Sequence, residues 1–267
     1  MMRIWVAMAA LFVLGAAMLG SARAAEFELM EARAQLAPTG KLRAAFMLEN
    51  LALVSGQGGS ADAPGIAGAL ARAIAERAGV PLQPRVYSTK GTFEASLGRG
   101  EWDIEFNTRN PRYAAYVDFS SNFVMVDQVY LIPPGKTLMD MAEVDRKGVR
   151  VAAVENSDAE GLIFGIIKEA QILRVNQDSD PTIRLLKSGA VEALAGSAEY
   201  LSGIAAQLPG CRFLPGRFAS VPAAIGVARG RPAALAFVNQ FLADAKTSGL
   251  IQRAIENAQL HGVSVAP

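Results

Sequence analysis

The chain has 267 residues, of which 51% are hydrophobic and 19% are charged, with 25 Gly, 13 Pro, one Cys and one His. This balance excludes disordered, collagen-like and disulfide-stapled proteins, and it predicts a globular chain of about one to two domains. The formal net charge is +1, and without residues 1–24 the count is 24 basic against 25 acidic residues, or about −1. A body so close to neutral argues against nucleic acid as a partner, because general binding needs a basic face.

The N-terminus has the pattern of a secretion signal. Arg3 precedes an uncharged run from Ile4 to Gly20, and small residues surround a cleavage position after Ala24. Cleavage there leaves 267 − 24 = 243 residues. A membrane anchor is the alternative, since about 17 apolar residues lie at the lower limit for a membrane span. We expect a signal peptide over residues 1–24 and a mature protein that is soluble outside the cytoplasm.

The rare residue types restrict the chemistry. Cys211 is the only cysteine, so an internal disulfide is impossible, as is a zinc site of four thiolates or of two thiolates and two imidazoles. We interpret Cys211 as a small buried apolar side chain and His261 as a surface residue. The sequence contains no HExxH, P-loop or GxGxxG segment. We therefore expect neither a cofactor nor a metal.

Beyond residue 40, short apolar runs alternate with amphipathic stretches. The first block predicts, in chain order, strand Leu42–Met47, helix Gly65–Arg77, strand Pro84–Tyr87, helix Thr92–Leu97 and strand Trp102–Phe106. A β-α-β-α-β order implies a parallel sheet with right-handed crossovers.

The same order recurs after a long β-rich segment. The second part predicts strand Phe123–Ile132, strand Val149–Val154, helix Ser157–Ala170, strand Ile172–Val175, a helix from Asp180-Pro181 to Gly189, strand Val191–Ala195, strand Val221–Ala228 and helix Pro232–Gln259 with a break near Gly249. Two such blocks indicate an α/β protein of two lobes. Residues 127–134 and 214–224 are the candidate crossings between them.

We place lobe 1 at residues 25–128 and 222–267, and lobe 2 at residues 129–221. Ligands of parallel-sheet proteins lie outside the carboxyl ends of the strands, so the ligand is expected in the cleft between the lobes. The loops after Met47, Phe106, Val154 and Ala195 are therefore the candidate site.

Several segments, taken in order, carry a family resemblance. These are Gly100-Glu101-Trp102-Asp103-Ile104, Asp118-Phe119-Ser120 followed by Asn122-Phe123, Ala37 to Leu42, Gly189-Ala190-Val191-Glu192-Ala193 and Ala224-Ile225-Gly226-Val227. Together they resemble the family 3 solute-binding proteins of bacterial ABC importers, over nearly all of the mature chain.

The resemblance implies a type II periplasmic binding protein, with two α/β lobes joined by two crossing strands. Such a protein binds an amino acid or a related small polar carboxylate and closes like a hinge. An ABC permease in the inner membrane then recognises the closed form. The resemblance thus implies a small-molecule ligand, a permease partner, no chemistry on the ligand and a monomer.

The lobe 1 site departs from the family pattern. Amino-acid binders of this family carry an Arg five residues before the Asp-Phe-Ser segment, where its fork holds the α-carboxylate of the ligand. That position is Tyr113 here, while Arg112 lies one residue earlier and Arg109 lies in the preceding loop. We expect Arg109 or Arg112 to clamp an anion, with Tyr113 of this lobe and Ser197 of lobe 2 also among the ligand contacts. Asn107 and Thr108 directly follow a strand and are expected at the cleft floor.

The other expected contacts come from both lobes. Asn50 follows the first strand, and Asn156 and Ser157 match a strand-G-[ST] segment whose hydroxyl and helix N-terminus receive an anion in the family. For Ser157, an N-cap with no ligand contact is the alternative, as is a turn former for Asn50. The family's acid for the ligand ammonium is replaced by Ser197. A hydroxyl cannot balance a buried ammonium, so a small carboxylate or another polar anion competes with a standard amino acid as the ligand.

Two other functions stay open. Relatives of this family include dehydratases of cyclic acids, and Glu49, Glu155 or Glu199 could act as acid or base if burial raised its pKa. The chain could instead keep the two-lobed shape and bind a partner protein, such as a periplasmic oxidoreductase, because both family-defining charges are displaced.

Overall fold

The computed structural model describes residues 26–55, 63, 65–176 and 179–267. Within them a helix over residues 26–36, which we number α1, precedes the first strand. The strands are β1 Leu42–Met47, β2 Leu82–Tyr87, β3 Ile104–Thr108, β4 Val117–Ile132, β5 Arg150–Val154, β6 Gln171–Val175, β7 Ala193–Ser197, β8 Arg212–Phe213, β9 Ala219–Ala228 and β10 Val263–Val265. The further α-helices are α2 Leu51–Val54, α3 Gly65–Ala78, α4 Lys90–Ser96, α5 Asp158–Ile166, α6 Ser179–Lys187, α7 Ala198–Gln207, α8 Pro232–Thr247 and α9 Leu250–Ala258.

The strands form one mixed sheet of ten strands with helices on its faces. Its order is β2-β1-β3-β9-β4-β7-β5-β6, with β8 and β10 paired to β4. The pairs β1–β2, β1–β3, β5–β6 and β5–β7 are parallel, whereas β9 and β4 run antiparallel to their neighbours. We use lobe 1 for the half with β1–β3 and lobe 2 for the half with β5–β7. The predicted α/β, two-lobed class is confirmed.

Lobe 1 has one large hydrophobic core and a smaller, mainly aromatic cluster around Phe93 and Trp102. Ile66, Leu70 and Ile74 recur at helical spacing along α3, and all three are fully buried. They pack with apolar residues of β1, β3, α8 and α9 in one cluster. The predicted break near Gly249 is confirmed, since α8 ends at Thr247 and α9 begins at Leu250.

Lobe 2 carries a core on each face of its sheet. One cluster contains Val151, Ala153 and Ile163 under α5, and the other contains Leu194 and Leu201 under α6 and α7. Alternate residues of β5 and β7 supply the two faces, as a strand covered on both sides requires.

The strands β4 and β9 belong to both lobes. They pair with each other from Val117↔Ala228 to Gln128↔Ala219, with irregular register around residues 119–124. At Gln128 β4 begins to pair with β7 of lobe 2, while β9 pairs with β3 of lobe 1. The two halves are therefore parts of one hydrogen-bonded sheet. The lobe limits at 128/129 and 221/222 stay predictions.

Several predicted elements differ in extent. The helix predicted over Ser157–Ala170 ends at Ile166, and the strand predicted from Phe123 begins at Val117. The helices α1 and α7 were not predicted at all. The Cys211 side chain is half-buried rather than buried, and its packing against the lobe 2 core raises the pKa of its thiol.

The predicted signal peptide over residues 1–24 lies outside the described residues. Among those described, no helix combines the length and the apolar character needed to cross a membrane.

The Gly-x-x-Asp segment at residues 100–103 has a structural role. Asp103 is fully buried, and its Oδ1 accepts hydrogen bonds from Nη2 of Arg43 at 2.7 Å and from Nη1 of Arg231 at 2.7 Å. Its Oδ2 accepts from the backbone N of Arg43 at 3.0 Å. Two cations and a backbone donor compensate the burial of this carboxylate. The residue joins β1, β3 and the start of α8.

Glu105, two residues further along β3, has the opposite environment. Its side chain is buried, and neither carboxyl oxygen has a hydrogen-bond partner. A Cβ atom at Gly226 on the adjacent strand would lie 2.1 Å from Oε1 of Glu105, so only glycine leaves room for this carboxyl. Burial raises the pKa of Glu105 from 4.5 to about 8.

This burial predicts a pH-dependent stability. Between pH 4.5 and about 8 the folded chain holds a proton on Glu105 that the unfolded chain has released. Within that window this group should therefore lower the free energy of unfolding by about 1.4 kcal/mol per pH unit as the pH rises. Outside the window it should add no slope, because the folded and unfolded chains then hold the same number of protons on it. Urea denaturation of Glu105→Gln should show this slope removed. The exposed control Glu76→Gln should keep the wild-type profile, and an unchanged profile in Glu105→Gln would contradict the assignment.

Candidate functional site

A polar cleft lies between the two lobes. Its empty volume is about 910 Å³, part of it continuous with bulk solvent. Both lobes contribute to its wall through the loops after β1, β3, β5 and β7 and through the shared strand β4. Seven of the nine site residues predicted from the sequence line it: Asn50, Asn107, Thr108, Tyr113, Asn156, Ser157 and Ser197. Whether each touches a ligand stays a prediction.

The lobe 1 wall is organised around the end of β3. Asn107 Oδ1 accepts hydrogen bonds from Asn50 Nδ2 at 3.2 Å and from the backbone N of Thr108 at 2.9 Å. Tyr113 is buried and its hydroxyl donates to Glu94 Oε1 at 3.0 Å. Burial raises the pKa of Tyr113, so its hydroxyl stays neutral. Around the end of β3 this wall presents amides and hydroxyls in fixed positions.

The lobe 2 wall is built from two helix N-termini. Ser157 caps α5 by accepting from the backbone N of Glu160 at 3.1 Å, and Ser197 caps α7 by accepting from that of Tyr200 at 3.4 Å. Asn156 adopts a left-handed conformation with φ of 61°. Its backbone N donates to Glu160 Oε2 at 2.7 Å. Because both serines are N-caps, their positions follow from helix capping with or without a ligand.

The sequence reasoning missed Lys90, the first residue of α4. Among the described residues it is the only Lys or Arg on the cleft wall. Its Nζ reaches across from lobe 1 and donates to the carbonyl oxygen of Asn156 in lobe 2 at 2.8 Å. The capping box of Thr89 and Thr92 signals where this helix begins, but the reach of Lys90 across the cleft depends on the packing of both lobes.

Gln128 was missed as a site residue, although it lies inside the predicted crossing. It is buried at 3% exposure, lines the cleft and sits on β4 opposite Ser197 of β7. Its side-chain amide forms no hydrogen bond with the part of the chain that the structure describes. The alternation of Val126, Gln128 and Tyr130 along the strand was the sequence signal for this residue.

The two arginines expected to clamp an anion do not line the cleft. Arg109 is exposed and donates from Nε to Asn122 Oδ1 at 2.7 Å and from Nη2 to the carbonyl oxygen of Ser120, with its guanidinium over the ring of Phe119. Arg112 is also exposed. Arg109 instead holds the irregular part of β4, and whether either arginine meets a ligand stays a prediction.

The two acids of lobe 2 that lie closest to Ser197 in the sequence, Glu192 and Glu199, are bound by other residues. Glu192 pairs with Arg150 at 2.9 Å and Lys136 at 2.9 Å, and these partners lower the pKa of Glu192 to about 2. Glu199 accepts from Ser55 Oγ at 2.8 Å through Oε1 and from the backbone N of exposed His261 at 2.8 Å through Oε2. Neither lines the cleft. Glu199 instead ties the two lobes together at their outer edge.

The acids that do line the cleft lie towards its rim. Glu49 is half-buried and accepts from the backbone N of Lys90 at 2.7 Å, and Glu155 and Asp158 are exposed. Over the described ranges, no group of three or more His, Cys, Asp or Glu could hold a metal ion. The cleft therefore combines a neutral floor with charges at the rim.

Comparison with known proteins adds the family. The model of the bacterial extracellular solute-binding proteins, family 3, matches residues 55–258, which is more than half of the chain. No curated protein was found to match the sequence.

Solved structures share the fold over most of the chain. An ancestral amino-acid-binding protein described as a precursor of cyclohexadienyl dehydratase matches with a TM-score of 0.66 at 19% identity, covering 85% of this chain and 98% of its own. A Streptococcus pneumoniae amino-acid ABC transporter substrate-binding protein bound to L-arginine matches with 0.65 at 20% identity, covering 84% and 96%. A Neisseria gonorrhoeae solute receptor for L-cysteine matches with 0.65 at 20% identity, covering 88% and 99%. At such identities these likenesses show the fold.

The placement of Arg109 predicts a structural phenotype. Arg109→Ala removes its two hydrogen bonds and the contact with the Phe119 ring, so the free energy of unfolding should fall by about 1–2 kcal/mol. Urea denaturation measures this change. Arg112→Ala, which removes an exposed side chain, is the matched control and should leave stability unchanged. Equal stability of Arg109→Ala and wild type would contradict the contacts described.

Proposed function

Because the chain belongs to the bacterial extracellular solute-binding proteins, family 3, we propose that it is a periplasmic receptor of an ABC importer. It binds an amino acid or a related small polar solute in the cleft and presents it to a permease in the inner membrane. The protein acts as a monomer, without cofactor and without chemistry on the ligand. Removal of residues 1–24 as a signal peptide gives the periplasmic form.

The observation that carries this proposal is the position of the cleft. Its polar wall is divided between two lobes that share β4 and β9, so a ligand in it touches both lobes at once. A ligand stabilises the arrangement in which it contacts both walls, in proportion to its preference for that arrangement. Binding is thereby coupled to lobe closure, which is the signal a permease can recognise.

The proposed contacts come from both walls. Asn50, Asn107, Thr108 and Tyr113 serve from lobe 1, and Asn156, Ser157 and Ser197 serve from lobe 2. Arg109 and Arg112 are left out because their side chains lie off the wall.

Lys90 reaches lobe 2 at a rim that also carries the acids Glu155 and Asp158. Lys90 and the N-terminus of α5 lie close together, since Lys90 Nζ donates to the carbonyl oxygen of the residue before Ser157, the N-cap of α5. An ammonium and a helix N-terminus both favour an anion, so a ligand carboxylate is expected there. Lys90 then takes the place that an arginine fork holds in the family pattern.

The proposal predicts ligand-dependent stability. Thermal unfolding of the protein purified from the periplasm should be measured against amino acids, small carboxylates, cyclic acids and amines. A ligand at about 100 times its dissociation constant should add roughly 2.7 kcal/mol to the free energy of unfolding.

The cleft is tested with a matched pair of variants on any compound that stabilises. Asn107→Ala removes a wall residue and should weaken its binding about tenfold, whereas Asn176→Ala, an exposed residue away from the cleft, should not. No stabilisation by any compound would contradict the receptor function and favour a protein partner. If Asn107→Ala binds the compound as tightly as Asn176→Ala and wild type do, the ligand lies outside the cleft.

A further inference from the structure

The cleft separates neutral from charged groups. Asn107, Thr108 and Gln128 form what we call the cleft floor, and they are exposed by only 6%, 8% and 3%. The charged residues of the wall are more accessible, with Lys90 half-buried and Asp158 exposed. A ligand that enters the cleft therefore meets charge at the rim and uncharged amides and a hydroxyl at the bottom.

The floor has hydrogen-bonding capacity that the described part of the chain does not use. Asn107 Oδ1 accepts two hydrogen bonds, but its Nδ2 donates none within the described residues. The same holds for the hydroxyl of Thr108 and for both ends of the Gln128 amide. None of these unused donors and acceptors is sealed from solvent, since all three side chains line the cleft, so they are available to a bound solute.

Gln128 has a special place among these residues. It lies on β4 where the strand passes from one lobe to the other, with Ser197 of β7 and Ala219 of β9 as its neighbours in register. Paired residues of antiparallel strands carry their side chains on the same face, so Gln128 and Ser197 are side-by-side positions of the cleft wall. A group bound by Gln128 is thus held by the strand that both lobes share.

Among the residues that the structure describes, a charged group at the floor would find no counter-charge beside it. Glu192 and Glu199 are held by other partners, and Arg109 lies off the wall. Glu105 precedes Asn107 by two residues on β3 but does not line the cleft. A buried ion without an opposite charge is strongly disfavoured, whereas a neutral group that both donates and accepts can pair fully with amides.

We propose that the cleft floor, with Gln128 at its centre, binds an uncharged hydrogen-bonding group of the solute, such as a carboxamide, while the charged groups of that solute stay at the rim beside Lys90. This inference rests on the proposed receptor function and specifies its substrate class. Gln128 is then a specificity-determining residue.

The test compares ligands that differ only in the charge of one end. The probes are L-glutamine with L-glutamate, L-asparagine with L-aspartate, and succinamate with succinate, titrated calorimetrically into the intact protein. At least one amide should bind, about tenfold or more tighter than its acid. Because the third pair lacks an α-amino group, it separates amino acids from simple carboxylates as the source of the amide.

Two variants test the residue itself. Gln128→Ala removes the amide and should weaken binding of the amide probe by about tenfold to a hundredfold, and the near-isosteric Gln128→Glu should weaken it as well because an ionised carboxylate cannot donate. The exposed control Gln252→Ala should bind like wild type. Urea denaturation without ligand verifies that all variants are folded.

The outcomes separate the two proposals. An amide probe that loses affinity in both Gln128 variants supports the inference. Acids that bind as tightly as their amides, or unchanged affinity in Gln128→Ala, overturn it and leave the receptor function intact. It is also overturned if none of these six probes binds while other solutes stabilise the protein. If neither these six probes nor any solute of the thermal-unfolding test binds, both the amide inference and the receptor function are contradicted.

Discussion

The pairing of β4 with β9 is the constraint on which the rest of the structure depends. These antiparallel strands run from one lobe into the other, and each also pairs with a strand that belongs to one lobe alone. The cleft wall is thus set by hydrogen-bond register rather than by flexible linkers. Asn107 on β3, Gln128 on β4 and Ser197 on β7 converge because their strands belong to the run β3-β9-β4-β7 of one sheet.

The polar groups of the cleft are held by ordinary structural devices. Helix caps fix Ser157 and Ser197, a side-chain pair fixes Asn50 against Asn107, and a left-handed Asn156 turns its carbonyl towards Lys90. Such preorganisation lowers the ordering cost when a solute binds. The hydrogen bonds of Lys90 and Glu199 across the lobes also stabilise a closed arrangement. A solute in this cleft replaces or supplements contacts that the chain makes with itself.

Sequence patterns predicted the architecture well because burial periodicity and punctuation are local. The spacing of Ile66, Leu70 and Ile74 specified α3, and Gly249 specified the break before α9. The family segments located both walls of the cleft, so seven predicted residues lie on it.

The individual charges could not be predicted in this way. The position of Arg109 depends on an irregular stretch of β4 that brings Asn122 and Ser120 to its guanidinium. The position of Lys90 depends on how the lobes face each other. Gln128 was within reach, since the alternation along a predicted crossing strand places it on the cleft side. The predicted site consists of loops that follow strands, and Gln128 lies within the strand β4 itself.

The central claim is that a solute is held between the lobes by the neutral floor and not by an arginine clamp. The most direct measurement is a crystal structure of the protein with a solute that stabilises it. The account predicts the solute between the lobes, with hydrogen bonds to Asn107 and Gln128 from one end and Lys90 near the other. A solute carboxylate paired with Arg109 or Arg112, or a solute bound outside the cleft, would contradict it.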